Sequence, residues 1–167
     1  LAHFQSGAAI EQQLLAASQD DATLRFSLAE SYSWVGSCLL DLGRLDESEQ
    51  SFRRSLDLLE ALHRKGGDPR HSEEYADVGA LLAGVLANRG EAARAVAQFE
   101  QSNSVYAALA RHDPSNASWQ RSRLRGERLL GELRLALHDR NVDSAALQDI
   151  SNGFRRLADA DPSNAWL

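Results

Sequence analysis

Residues 34–56 read WVGSCLLDLGRLDESEQSFRRSL, and their pattern is the clearest indication of the fold. Apolar residues recur every three to four positions on both sides of Gly43, which is the pattern of two amphipathic helices. Glycine accepts the left-handed backbone conformation that ends a helix, so Gly43 predicts a tight turn between the two. Asp46 and Glu49, three residues apart after the turn, predict a capping box at the start of the second helix. The stretch therefore predicts an antiparallel helix pair.

The same helix-pair pattern returns along the chain at a nearly fixed period of 47–48 residues. A small residue at position 36 is followed by small residues at positions 83 and 131. The large apolar residue of the second helix recurs in the same step as Phe4, Phe52, Phe99 and Leu147. The stretch DPSNASW at 113–119 returns as DPSNAW at 161–166. Three markers with one period indicate a repeat protein whose unit is a helix pair.

These residues resemble the tetratricopeptide repeat family. That family has a small residue where two helices cross, a glycine at the turn, and a small and then an aromatic residue in the second helix. The first pair matches with Gly36, Leu39, Gly43, Ser48, Phe52 and Ser55, and the second with Ala83, Leu86, Gly90, Ala95, Phe99 and Ser102. The third pair keeps Leu130 and Gly131 but has His138 in place of the glycine and Arg134 in place of a large apolar residue, which indicates a divergent or terminal repeat. The usual repeat has 34 residues, so this chain resembles the extended bacterial versions.

The resemblance implies an all-α fold, a right-handed superhelical solenoid of antiparallel helix pairs with about seven helices. Residues 1–19 are expected to be the second helix of a truncated repeat, followed by repeats at 22–64, 71–111 and 117–160 and by the start of a truncated further repeat at 161–167. The chain begins at Leu1 and has no methionine. We therefore expect a piece of a longer, multidomain bacterial protein.

Composition excludes several classes of function. A net charge of −6 argues against nucleic-acid binding, which needs a basic surface. No apolar run reaches 18 residues, so no membrane span is predicted. Cys38 is the only cysteine, which excludes an intramolecular disulfide and fits a reducing compartment. We expect a cytoplasmic protein.

The sequence contains no recognisable catalytic or cofactor motif. The histidines are scattered over positions 3, 63, 71, 112 and 138. His63 and His71 flank a turn with Asp68, but surface histidines near helix ends are a better interpretation than a metal site. The glycine-containing stretches lack the spacing and the Lys-Ser/Thr pair of a phosphate-binding loop. The sequence therefore predicts no enzyme, no cofactor and no metal. Trp119 and Trp166 recur with the period and are expected to pack repeat against repeat.

The remaining candidate site is a surface. In stacked helix pairs the first helices line the concave side, and the resemblance implies that peptides bind there. The register places on that face Glu30, Ser33, Ser37, Asp41, Asp77, Asn88, Arg125, Arg128 and Glu132. Arginine suits bidentate binding of carboxylate or phosphate. The alternative for the arginines of the third pair is a solvated face on which Glu127 and Glu132 are intrahelical partners.

Two functions follow from these observations. The first is a protein-interaction scaffold, of the kind used in signalling, that binds a peptide or another domain of its own protein through the concave face. The second is a structural spacer or self-association module without an external ligand. The first helix supports the second interpretation, because its apolar residues lack the partner helix of a complete repeat; they are Phe4, Ile10, Leu14 and Leu15.

Overall fold

The structure is a computed structural model that describes residues 1–18, 20–136, 149, 151–153, 155–157 and 159. Within these residues the fold is all-helical. The helices are α1 (Ala2–Ala17), α2 (Ala22–Asp41), α3 (Leu45–Lys65), α4 (Pro69–Asn88), α5 (Ala92–His112) and α6 (Ala117–Ala136). The described residues between 149 and 159 are also helical and belong to a seventh segment.

Each helix packs against the next, and α2 also contacts α4. The loops between them have only three or four residues, so consecutive helices run antiparallel. Over the part of the chain that the structure describes, this arrangement confirms the predicted all-α fold of about seven helices, packed in consecutive pairs. The remainder of the predicted helix at 143–160, the stretch 161–167, His138 and Trp166 lie outside the described residues.

The turns at Gly43 and Gly90 show the repeat in the backbone. Both glycines have positive φ angles, of 70° and 77°. The Gly43 amide donates to Leu40 and the Arg44 amide to Leu39, both at 2.9 Å. The equivalent bonds recur 47 residues later, from the amides of residues 90 and 91 to the carbonyls of residues 87 and 86, again at 2.9 Å. These are the paired bonds of a Schellman motif, which satisfies the last helical carbonyls.

The predicted capping box at the start of α3 is wrong. Its N-cap is Arg44, and no side chain caps the helix. The carboxylates of Asp46 and Glu49 instead reach the next repeat. Asp46 pairs with Arg89, while Glu49 lies 3.0 Å from Arg94 and 3.5 Å from Arg89. Ion pairing between repeats has replaced hydrogen bonding to the helix end.

Glu49 is expected to contribute to stability more than its exposed neighbour Glu47. The Glu49 side chain is 13% exposed and contacts three arginines, whereas Glu47 is 52% exposed and pairs with Arg44 alone. Networks of charges contribute more than isolated exposed pairs. We predict that Glu49→Gln lowers the free energy of unfolding by about 1 kcal/mol and that Glu47→Gln has a smaller effect. Urea denaturation in low and high salt tests this, because salt screening should shrink the difference. Equal effects of the two substitutions would contradict it.

The two helices of the first pair approach each other at Gly36. Phe52 of α3 is completely buried, and its ring lies directly over this glycine. An ideal Cβ placed on Gly36 would be 2.8 Å from Phe52 Cδ1 and Cε1. Beside the ring, Ser48 Oγ donates to the Gly36 carbonyl at 2.8 Å, and Ser55 Oγ donates to the Ala29 carbonyl at 2.7 Å. The small residues therefore permit the close crossing that the sequence predicted.

One apolar core continues from α2 to α6. Its members include apolar residues of the first two pairs, among them Phe52, Leu59, Leu62, Tyr75, Val78, Leu82, Val85, Leu86, Val105, Tyr106 and Leu109. Trp119 is also buried in this core, as its recurrence predicted. Leu42 is 60% exposed, because it is the C-cap residue where the chain leaves α2. Cys38 is only partly buried.

The N-terminal apolar face is exposed. Phe4 is 38%, Ile10 59% and Leu14 49% accessible to solvent. Phe4 stacks on Trp34 of α2 at 5.8 Å between ring centroids, and Trp34 is itself 58% exposed. Phe52 and Phe99, which are equivalent to Phe4 in the later repeats, are buried. The difference follows from packing, because α1 contacts α2 on one side, whereas α3 and α5 are each packed between two helices.

Candidate binding face

The predicted site residues lie on α2, α4 and α6, the first helix of each pair. We call the surface made by these nine residues the first-helix face. On α2, Glu30 and Asp41 are exposed, whereas Ser33 and Ser37 are partly buried. Ser37 Oγ donates to the Ser33 carbonyl at 3.1 Å, so this hydroxyl is engaged within its own helix. The α2 part of the face therefore offers carboxylates more readily than hydroxyls.

Two of the predicted residues meet in a cavity of about 320 Å³ between α4, α5 and α6. Asp77 lies on the α4 wall and Arg125 on the α6 wall. The rest of the lining is mainly apolar or small, and consists of Ala80, Leu81, Phe99, Tyr106, Ser122, Gly126 and Leu129. Concave pockets with apolar walls and a few polar groups are the usual form of a binding site.

The Asp77 carboxylate accepts a hydrogen bond from a residue of α5, the second helix of the same pair. The Tyr106 hydroxyl donates to Asp77 Oδ1. Burial raises the pKa of Asp77, while the Tyr106 hydrogen bond and the positive charge of Arg125 act in the opposite direction. Burial, together with the Asp77 carboxylate, also raises the pKa of Tyr106, so the tyrosine remains a hydrogen-bond donor. The Asp77 carboxylate is thus fixed in position and partly shielded from water.

Further carboxylates surround Asp77. Glu73 and Glu74 lie one turn earlier on α4, and Glu30 approaches from α2. Burial, and next the charges of Asp77, Glu30 and Glu73, raise the pKa of Glu74 to about 7. Like charges in a partly desolvated position disfavour ionisation. This part of the first-helix face therefore carries an excess of negative charge.

The arginines of α6 do not behave alike. Arg128 pairs with Glu132 at 2.6 Å and Arg123 with Glu127 at 2.5 Å, both within the helix. Arg123 and Arg128 therefore match the alternative prediction, in which the arginines of the third pair are bound to glutamates of their own helix. Arg125, by contrast, makes no hydrogen bond or ion pair with any residue in the described part of the chain and remains exposed at the cavity.

Asp41 and Asn88 lie away from the cavity. Each is exposed and occupies the last residue of its helix, α2 or α4. The structure therefore brings Asp77 and Arg125 together, joins Arg128 to Glu132, and leaves Asp41 and Asn88 at the edge of the face.

Sequence reasoning missed the cavity residues that do not belong to the first helices. Phe99 of α5 was named only as the recurring apolar residue of the repeat, and Tyr106 and Gly126 were not named as site residues. A buried tyrosine hydroxyl needs a partner, and that requirement was the available signal. An ideal Cβ on Gly126 would be 2.5 Å from Asn103 Oδ1, so a side chain at position 126 would require Asn103 to shift. Nothing in one sequence indicates that contact.

The raised pKa of Glu74 predicts a pH-dependent stability. In the unfolded chain this carboxyl ionises near 4.5, whereas in the fold its pKa is about 7. The folded state thus binds more protons between these values, so stability falls as the pH rises from about 4.5 to 7. Glu74→Gln is expected to remove this decrease and to raise the melting temperature at pH 8 but not at pH 4. Melting curves across this pH range test it; parallel curves for the two proteins would contradict it.

His63 and His71, the two histidines that flank the turn with Asp68, make contacts within the fold. His63 stacks on Tyr75 at 4.9 Å and accepts or donates a bond with Ser72 Oγ at 2.9 Å, while His71 packs on Phe26 at 5.1 Å. Across the described residues, no group of three His, Cys, Asp or Glu side chains is placed to hold a metal ion. Over the same part of the chain, no helix is both long enough and apolar enough to cross a membrane.

No protein-family model matches this chain, and no curated protein is significantly similar to it.

Proposed function

We propose that this chain is a protein-interaction module of the tetratricopeptide type, in which stacked helix pairs form a right-handed superhelix and the first-helix face binds a partner. The partner is a peptide segment or another domain of the same protein. The observation that carries the proposal is the cavity between α4 and α6, where a fixed carboxylate and an exposed arginine meet apolar walls.

The repeat geometry supports this proposal. Equivalent turns recur at Gly43 and Gly90, and the small residues of the first two pairs, Gly36 and Ala83, lie at a helix crossing and in the core, respectively. Stacked repeats of this kind place their first helices side by side and create an extended surface. The contact between α2 and α4 and the cavity shared by α4 and α6 are consistent with such a surface.

Gly84 offers a way to obstruct the first-helix face without disturbing the core. It lies two turns after Asp77 on α4, and an added Cβ would meet no heavy atom within 4 Å. Arginine also has a better helix propensity than glycine, so Gly84→Arg is expected to fold at least as stably as the wild type. The matched control is Ala97→Arg, at an exposed position of α5 with the same change in charge.

The test is capture of partners from a lysate of the source cells with the wild type and both variants. We predict that the wild type and Ala97→Arg retain the same partner and that Gly84→Arg loses it by at least tenfold. Equal retention by all three proteins would place recognition elsewhere and contradict the proposal.

Self-association is a second candidate, and the exposed apolar side chains of α1 and α2 favour it. Phe4, Ile10, Leu14 and Trp34 form a set of large apolar groups in contact with water. Such groups commonly mark interaction surfaces. Light scattering after size exclusion tests this function, because Ile10→Glu with Leu14→Glu should convert a dimer to a monomer. A wild type that stays monomeric at high concentration would exclude it.

A further inference from the structure

The cavity between α4 and α6 has an electrostatic character that selects among ligands. The Asp77 carboxylate lines it, and Oδ1 of this group accepts a hydrogen bond from Tyr106. Within the described residues, Oδ2 accepts no hydrogen bond. A fixed carboxylate oxygen beside apolar walls is a favourable acceptor for a cationic donor, since charge-assisted hydrogen bonds are stronger where water is excluded.

The size and walls of the cavity suit one long side chain. A volume of about 320 Å³ lies at the small end of the range for ligand pockets. Leu81 of α4, Phe99 of α5 and Leu129 of α6 supply apolar surface on three sides. Lysine and arginine combine a charged end with an aliphatic stem that packs well on such surface.

The surrounding charge favours the same class of ligand. Glu73 and Glu74 lie next to Asp77, and Glu30 lies opposite on α2. Among the described residues, positive charge acts on this cluster from Arg125 of α6, which influences Asp77, and from Arg70, which influences Glu30 but is already paired with Asp68 at 2.6 Å. The carboxylates therefore outnumber the available cations, and a ligand cation would relieve their mutual repulsion.

We propose, resting on the proposed function, that this cavity binds a lysine or arginine side chain of the partner peptide, with its charged end at Asp77 and its stem against Leu81, Phe99 and Leu129. Arg125 then competes with the ligand for the Asp77 carboxylate. Because of this competition, Asp77 and Arg125 have opposite effects on the affinity for the peptide. Loss of the carboxylate weakens binding, and loss of the arginine charge strengthens it.

The experiment begins with selection of peptides from a phage-displayed library of random dodecapeptides on the complete chain. The enriched peptides are synthesised, and their dissociation constants are measured by calorimetry. Asp77→Asn keeps an acceptor for Tyr106 and removes the charge, and Arg125→Gln removes the opposing charge. Asp57→Asn, at an exposed position of α3, is the matched control.

We expect the enriched peptides to share a basic residue next to an apolar one. Asp77→Asn should weaken their binding at least tenfold, Arg125→Gln should strengthen it about threefold, and Asp57→Asn should change it less than twofold. Replacement of the basic residue of the peptide by norleucine should reproduce the loss seen with Asp77→Asn. In that peptide the effect of Asp77→Asn should disappear.

Other outcomes overturn the proposal in distinguishable ways. Two results would overturn the assignment of a cation but leave the first-helix face as the binding surface. In the first, the enriched peptides lack a basic residue. In the second, they bind Asp77→Asn as tightly as the wild type but no longer bind Gly84→Arg. The same conclusion follows if Arg125→Gln weakens binding, since the ligand would then be anionic. Failure to enrich any peptide, or peptides that bind Gly84→Arg unchanged, would overturn both proposals.

Discussion

Replacement of Phe52 by alanine is expected to lower the free energy of unfolding by about 3–5 kcal/mol, a larger loss than we expect from any surface substitution. The ring is completely buried between α2 and α3 and belongs to the continuous core. Its removal forfeits the transfer free energy of the ring and leaves a cavity against Gly36, which has no side chain to fill it. Neighbouring helices cannot close this gap without breaking the crossing.

Phe4→Ala is the matched control for this prediction. Phe4 occupies the equivalent position one repeat earlier, but it is 38% exposed and contacts the exposed ring of Trp34. We expect a loss of about 1 kcal/mol, the size of a partly exposed aromatic pair. Urea denaturation followed by circular dichroism measures both values. Similar losses at the two positions would show that the crossing of α2 and α3 is not the main packing contact of the repeat.

Gly36→Leu is expected to destabilise the fold by about 1–3 kcal/mol through overpacking. An added Cβ would already lie 2.8 Å from two ring atoms of Phe52, and the longer leucine side chain would need still more room. The ring cannot move aside freely because it is completely buried. Separation of α2 from α3 would also break the Ser48 hydrogen bond to the Gly36 carbonyl.

The control for this overpacking is Gly84→Leu. Gly84 also lies within a helix, but space around it is open, so leucine should be neutral or stabilise by up to about 0.8 kcal/mol through helix propensity. A second test combines Gly36→Ala with Phe52→Leu, since the smaller side chain gives the new methyl group room. We expect the double variant to be more stable than the two single losses predict. Additive losses, or an unchanged melting temperature for Gly36→Leu, would show that the two helices do not touch closely at this point.

The repeat, its helices and most of its core could be predicted from the sequence because they depend on local patterns. The turn at Gly43 needs a residue that tolerates positive φ, and Phe52 is the largest apolar residue in the stripe of α3. Local patterns failed where contacts cross between repeats. Asp46 and Glu49 have the spacing of a capping box, yet their partners Arg89 and Arg94 are more than 40 residues away.

The candidate site was predictable only as a face. Register alone placed Asp77 and Arg125 on the first helices, and only the structure shows that both residues line one cavity. Tyr106 of α5 and Gly126 of α6 also line that cavity, Tyr106 donates a hydrogen bond to Asp77, and Gly126 lies close to Asn103 of α5. These contacts depend on the three-dimensional packing of α4, α5 and α6. The pKa of Glu74 depends on it as well, because Glu30 contributes from a different helix.

Recognition of a partner by the first-helix face is tested most directly by nuclear magnetic resonance. Glycine amides give separate resonances, and four of them report on different places: Gly84 on the open part of the face, Gly126 in the cavity, and Gly66 and Gly67 in the loop after α3. The captured partner is titrated into the ¹⁵N-labelled chain. We predict that the signals of Gly84 and Gly126 shift or broaden while those of Gly66 and Gly67 stay in place. Shifts confined to Gly66 and Gly67, with Gly84 and Gly126 unchanged, would contradict recognition by this face.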